Sequence, residues 1–461
     1  MATATDIALD AIEPPFAADD AVEYSARDRT LVAPTRMPPK SDKALVKLPV
    51  GMDWILLGTI FALMTTGIVM AYSASVYASL HQTKNISDVV FLTKHIAHAG
   101  VGLVALIVGM HVPYQAWRRV AYALLMLTIG LLIATLMVGV VINKARRWLP
   151  FPGFMFQPAE LAKFAFAVYL SHSLTKKISS EQVHTFSVGF LPHAVVWLVV
   201  FGLCMKQPDL GTGIVLAVLL FSMTYVAGLN IAYLMFLGLT AGAGLGLFIL
   251  HSPMRFKRFL AFLDPLLYRD TTGFQLFNGK LAVATGGLFG NGLGLSRQKL
   301  GFVPECHTDF ILSIIAEELG LIGVALVALL FIVFIMRGLR IALHARDEFG
   351  RLLAGGITVL FGTQAAVNFG VVMGTLPTKG LTLPFVSHGG SSLVVLALAA
   401  GVLLNIGRGG DPDWEPDENS GLFGWFRRFG PKDPRPANQR SGAQRAVVAD
   451  DSDTQSDEDA P

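Results

Sequence analysis

RQKLGFVPECHTDFILSIIAEELGLIG, from Arg297 to Gly323, changes character at its middle. The first half is polar, with a proline, a histidine and the carboxylates Glu305 and Asp309. The second half runs on as an apolar helix. Asp309 lies on the seam, where a water-exposed loop enters a membrane helix. Two readings stand side by side there. An aspartate is a favoured helix N-cap, and a half-desolvated carboxylate with access from one side is also a base. At 1.5 Å per residue Glu317 lies about 12 Å further along the helix. It is rotated about 80° from Asp309, and Glu318 about 180°. These carboxylates cannot all cap or all face lipid, so some point into a protein interior.

The rest of the chain supplies the membrane. Its 461 residues are 53% hydrophobic and only 15% charged, with mean hydropathy +0.56. Soluble domains carry about a quarter charged residues. Apolar runs of about 20 residues, enough for a hydrocarbon core of roughly 30 Å, recur near 54–76, 91–110, 120–142, 158–174, 186–205, 211–229, 231–250, 310–335, 352–373 and 383–406. The expectation is an all-α polytopic membrane protein of about ten transmembrane helices, with a large extracytoplasmic loop, 251–308, between helices 7 and 8. Residues 1–50 and 409–461 read as disordered cytoplasmic tails around a transmembrane domain spanning 51–408. A net charge of +3 gives no reason to invoke nucleic acid. Cys204 and Cys306 fit no zinc or disulfide pattern. The glycines at 290–294 lack the lysine and strand setting of a nucleotide loop and read as turns. The small-residue run Ala241–Gly246 suggests close helix approach.

An even number of spans puts both tails on one side. Lysines and arginines nearly tie between the two faces until the long loop is set aside. Short loops and the first helix then place both termini in the cytoplasm. The basic residues left on the outer face suggest an anion-binding task. They fall in four polar clusters. In the first, NKARRWLPFPGFMFQPAELAK, Arg147 and Trp148 sit beside a span. Pro158 opens a helix there, with Glu160 and Lys163 at i, i+3 as an ion pair or as functional groups. In the second, KQPDLGT, Asp209 is a helix cap or more. The third is the long loop. Phe256, Phe259 and Phe262 recur in it at helical spacing beside Arg255, Lys257 and Arg258, as in an interfacial amphipathic helix attracted to lipid headgroups. In the fourth, LPTKGLTLPFVSHGGSS, prolines and glycines break the helix at membrane depth, which needs a polar cavity. Lys379 offers that cavity a charge, and the turn from Ser387 to Ser392, with Gly389, Gly390 and Ser391, offers amides.

Taken together and in order, these four segments resemble the SEDS family (shape, elongation, division and sporulation proteins) over about Trp54 to Arg408. PTKGLTLP and QKL before HTDF are most similar to the division member. The resemblance implies a peptidoglycan glycosyltransferase that polymerises lipid II on the outer face of the bacterial cytoplasmic (inner) membrane, at the division septum. It places the catalytic base on Asp309. Arg147 and Lys379, with Lys299 or a divalent cation such as magnesium or manganese, would stabilise the leaving polyprenyl pyrophosphate. Trp148, Glu160, Lys163, Glu305 and His307 complete the expected substrate site. The implied partners are a class B penicillin-binding protein, which is a transpeptidase, and other divisome membrane proteins. His388 stands where the family usually has tyrosine. A lipid II flippase is the rival reading, because intramembrane charges and a polar cavity suit translocation as well.

Overall fold

The computed structural model describes residues 52–82, 89–142, 145–151, 154–180 and 182–409. Both expected tails lie outside the described residues. Ten helices follow the ten apolar runs. The first seven are α1 (Trp54–Gln82), α2 (Val89–His111), α3 (Tyr114–Val138), α4 (Pro158–Ser179), α5 (Leu191–Lys206), α6 (Leu210–Val226) and α7 (Ile231–Leu250). The long loop then folds into α8 (Pro253–Leu263) and α9 (Phe274–Gly286), before α10 (Ile311–Leu343), α11 (Glu348–Val372) and α12 (Gly390–Arg408). Six segments are long and apolar enough to cross a membrane, and His95–His111, Leu210–Val226 and Ile231–Gly244 are shorter apolar helices. This is a polytopic membrane protein.

Helix α4 is the central rod. It is buried on nearly every face, so its Glu160 and Lys163 do not need to face lipid and its composition is free to be less apolar. Helices α2 and α12 meet backbone to backbone. A Cβ on Gly109 would lie 2.4 Å from the Leu398 carbonyl, and one on Gly401 would lie 2.2 Å from that of Leu106. The expected close approach along Ala241–Gly246 is not seen. Gly242, Gly244 and Gly246 have nothing within 4 Å of an added Cβ. That face of α7 instead lines an apolar groove of about 500 Å³ with α5 and α6.

One end of the bundle is fixed by polar ties. Arg337, late on α10, pairs with Asp53 before α1 at 2.7 Å. The amide of Tyr114 donates to Asn405 Oδ1 at 2.9 Å, and its hydroxyl donates to Asp347 Oδ1 at 2.8 Å. The starts of α1, α3 and α11 thus gather with the ends of α10 and α12. All four polar clusters lie towards the opposite end.

Two features there depart from the expectation. The segment ARRWLPF is a strand rather than a helix flank. Strands β1 (Val140–Ile142), β2 (Ala145–Phe151) and β3 (Phe154–Phe156) form an antiparallel sheet in that order, with Val141 opposite Arg146. Helix α10 is also not continuous. Gly320 takes φ 68° and ψ −165°, a conformation open to glycine. The amides this break would orphan are bonded by the segment after α9. Leu321 N–H donates to Gly287 O at 2.9 Å and Ile322 N–H to Leu288 O at 3.2 Å, while Asn291 and Gly292 N–H donate to Glu317 O and Glu318 O. The glycines at 290–294, read as turns, therefore dock against the broken helix. A Cβ on Gly290 would fall 2.1 Å from Glu318 O.

Candidate active site

A cavity of about 180 Å³ opens among the loops at the end of the bundle opposite the Arg337–Asp53 tie. Four cations from three separate segments line it: Arg147 from β2, Arg255 and Arg258 from α8, and Lys379 from the loop before α12. The β2 strand holds Arg147 in place. Its Nε donates to the Gln207 carbonyl at 3.0 Å and its Nη2 donates to the Pro208 carbonyl. Gln207 is itself fixed, donating through Nε2 to Leu132 O at 3.0 Å. Asp209, also on the cavity wall, settles as the cap of α6. Its carboxylate accepts from the Thr212 amide at 3.1 Å and the Thr212 hydroxyl at 2.8 Å.

Asp309 is not on the cavity wall; it lies against Gly380, which is. A Cβ on Gly380 would lie 2.9 Å from Asp309 Oδ2 and 3.9 Å from Arg147 Nη1, so base and guanidinium flank the same glycine. The N-cap position of α10 belongs to Phe310, and no side-chain cap bond is made there. The carboxylate is thus free for chemistry, which settles the capping alternative. Burial pushes its pKa up to about 7, reinforced by the charge of Glu305 and then opposed by Arg147, with Asp209 and Glu160 adding to the rise. A base of that strength is matched to neutral pH. Lys379 moves the other way. Burial, then the charges of Arg258 and Arg255, lower it to about 8. Mutual repulsion among cations holds the cavity ready for an anion, whose arrival relieves it.

The other expected site residues divide. Glu305 is exposed, accepts the Thr308 hydroxyl at 3.0 Å and acts on Asp309 through its charge. Burial lowers the pKa of His307, against the pull of Glu305. Glu160 and Lys163 form a buried ion pair at 2.8 Å, closed by the Ser392 hydroxyl donating to Glu160 at 2.9 Å. Lys299, expected beside the pyrophosphate, does not line the cavity. It is buried in an ion pair with Glu318 at 2.9 Å, and Ser73 donates to the same carboxylate at 2.7 Å. Glu317 accepts from the amides of Arg297 and Gln298 at 2.9 and 3.2 Å. Both carboxylates of α10 therefore point inward, as their spacing required.

Ser387, Gly389, Gly390 and Ser391 do not line the cavity. Ser391 Oγ accepts the Gln157 amide at 3.2 Å, and Gly390 begins α12 against His98. Trp148 is half-buried on β2 and also off the cavity wall. His388 stacks near His95, its Nδ1 2.8 Å from His95 Nδ1. The site residues missed by sequence reasoning are Arg255 and Arg258. Their helix was correctly read as amphipathic, but a lipid surface already accounted for its basic side.

A divalent cation would take its oxygen ligands from one or two carboxylates, carbonyls, waters and the substrate's phosphates. Here Asp209 is committed to α6, and the wall carries four positive charges. Among the described residues no three His, Cys, Asp or Glu side chains are grouped to hold a metal.

Comparison with known proteins identifies the family. Residues 53–410 match the family model of cell cycle proteins comprising FtsW, RodA and SpoVE. "Probable peptidoglycan glycosyltransferase FtsW" of Trichlorobacter lovleyi is 44% identical over 360 residues, covering 77% of this chain and 93% of that protein. "Stage V sporulation protein E" of Bacillus subtilis is 41% identical over 358 residues, covering 77% and 97%. Among solved structures, a chain of a peptidoglycan synthase complex that coordinates polymerisation and crosslinking matches at TM-score 0.65 and 29% identity, covering 79% of this chain and 100% of that one. The rod shape determining protein RodA of Thermus thermophilus matches at TM-score 0.59 and 28% identity, covering 79% and 99%. Matched over residues 53–410 and 44% identical to a relative across 93% of that protein, this chain belongs to the FtsW, RodA and SpoVE family of cell cycle proteins.

Proposed function

We infer that this protein is a peptidoglycan glycosyltransferase of cell division, polymerising lipid II at the outer face of the bacterial cytoplasmic membrane at the septum, with both termini in the cytoplasm. The observation that carries the site assignment is that Asp309 and Arg147 both approach Gly380, which lines a cavity together with Arg147, Arg255, Arg258 and Lys379. The acceptor's sugar 4-hydroxyl attacks the anomeric carbon of the growing lipid-linked strand. Asp309 takes the hydroxyl proton, a role typically worth about 10²–10⁴-fold. The C–O bond to pyrophosphate breaks, and the departing negative charge grows against the cations, which are already in place. An α-linked donor then gives a β-1,4 product by a single inverting displacement. Any metal needed would arrive on the phosphates rather than on the protein.

The cations cluster at one end of the bundle, which favours transfer chemistry there over a carrier with a site at mid-membrane. A class B penicillin-binding protein is the proposed cross-linking partner, supported by the related complex that couples polymerisation to crosslinking. The test is Asp309→Asn in the full chain, reconstituted with lipid II and that partner. Glycan polymer should disappear while the melting temperature holds. Polymer from the variant would overturn the assignment.

A further inference from the structure

Three consecutive carbonyls leading into α10 are held from outside their own segment. His307 O accepts the His388 amide at 2.9 Å. Thr308 O accepts the Ser387 hydroxyl at 2.6 Å. Asp309 O accepts Asn368 Nδ2 at 2.9 Å. The same nitrogen also donates to Leu381 O, at 2.8 Å. Leu381 follows Gly380 and Lys379 directly, and its own amide donates back to Lys379 O at 3.0 Å. One buried amide on α11, only 2% exposed, therefore uses both its hydrogens to join two loops.

The orientation of that amide is determined by its partners. Both are carbonyl acceptors, so nitrogen must face them and Oδ1 must face away. No hydrogen-bond partner reaches Oδ1 among the described residues, in keeping with a side chain placed for its donors alone. We propose that Asn368 is the positioning residue of the transfer site, tying the segment that carries Asp309 to the segment that carries Lys379 and so fixing the separation of base and anion ligand. The proposal rests on Asp309 as the base and Lys379 as a phosphate ligand.

Asn368 touches neither reacting atom nor leaving group, so its effect travels through geometry. Without the two bonds, the Asp309 main chain is released on one side and can relax towards water. Burial is the chief cause of the raised Asp309 pKa, with Glu305 next and Arg147 opposing. Relaxation should lower the base's pKa as well as misplace it. A purely structural residue would lower the amount of active protein and leave the pH profile unmoved.

The experiment compares Asn368→Leu, which removes both donors at similar volume, with Asn368→Gln, which keeps the amide on a longer stem. Both are purified as the full chain with the cross-linking partner and assayed on lipid II. The Leu variant should lose about tenfold or more in kcat, on the scale by which small misplacements slow chemistry, with KM changing less. Its acid limb should move below pH 7, towards the ordinary carboxylate range, and the Gln variant should recover part of both. If the Leu variant fails to fold, the Gln variant alone decides the matter through its acid limb. Wild-type kcat, or reduced kcat with the acid limb unmoved, overturns the proposal. Asp309→Asn run in parallel separates the two claims. An active Asp309→Asn defeats the base assignment, whereas an inactive one beside an unmoved Asn368 profile defeats only the positioning role.

Discussion

Gly380→Ala puts the smallest possible obstruction at the point where the site is tightest. Gly380 does not occupy the left-handed region, so alanine is accepted by the backbone there. The new methyl would stand 2.9 Å from Asp309 Oδ2, about half an ångström inside ordinary contact. It would also stand 3.9 Å from Arg147 Nη1, which needs no adjustment. The carboxylate must therefore give way, and its main chain cannot follow freely because the carbonyls of residues 307 to 309 are all bonded. A misplacement of about 1 Å costs roughly 10²-fold in rate, so half of that predicts about a tenfold fall in kcat. The methyl also displaces water from Asp309, so the acid limb should move up, opposite to the direction expected for Asn368→Leu. The assay is lipid II polymerisation by purified protein across pH, with a thermal melt to show that stability has changed by less than about 0.5 kcal/mol. Wild-type kcat in a well-folded variant would refute the placement of Asp309 against Gly380.

Three further outcomes follow from charges already described. For kcat/KM, which reports the free enzyme, the profile should be a narrow bell. The base is lost as pH falls through about 7 and the Lys379 cation is lost as pH rises through about 8. Arg258→Ala removes a like charge from beside Lys379 and should carry the alkaline limb upward; a profile flat from pH 6 to about 9 would contradict both assignments. Lys299→Ala strands Glu318 as an unpaired buried charge and should destabilise the protein by about 3–5 kcal/mol, while Lys299→Met with Glu318→Met should restore most of the melting temperature. A Lys299→Ala protein that melts like wild type and loses only substrate affinity would return Lys299 to the pyrophosphate site.

Features set by local chemistry were readable in advance. Ten apolar runs became ten helices, with Ile231–Leu250 matching to the residue. Pro158 opens α4, Asp209 caps α6, and the phenylalanine spacing at 256–262 gave α8. The inward course of Glu317 and Glu318 followed from helical rotation alone. What escaped depends on partners distant in sequence. Lys299 looked like a ligand until Glu318 and Ser73, the latter 226 residues away, enclosed it. β2 forms because Val140–Ile142 pairs with it, a choice that the run ARRWLPF does not reveal by itself. Asn368 carried no signal beyond being a polar residue in an apolar helix. Its value depends on two carbonyls supplied by separate loops.

The interruption of α10 at Gly320 has a mechanical meaning. A continuous helix of 33 residues would transmit any push on its outer end to its inner end as a stiff beam. Here the beam is two rods meeting at a joint that the segment after α9 locks on both sides. The inner rod is moored through Arg337 to Asp53. The other rod begins just after Asp309, the proposed base, and is laced to the segment after α9. The direction of the rod that follows Asp309 is therefore set by the loop docked into the break rather than by the anchored half of the helix.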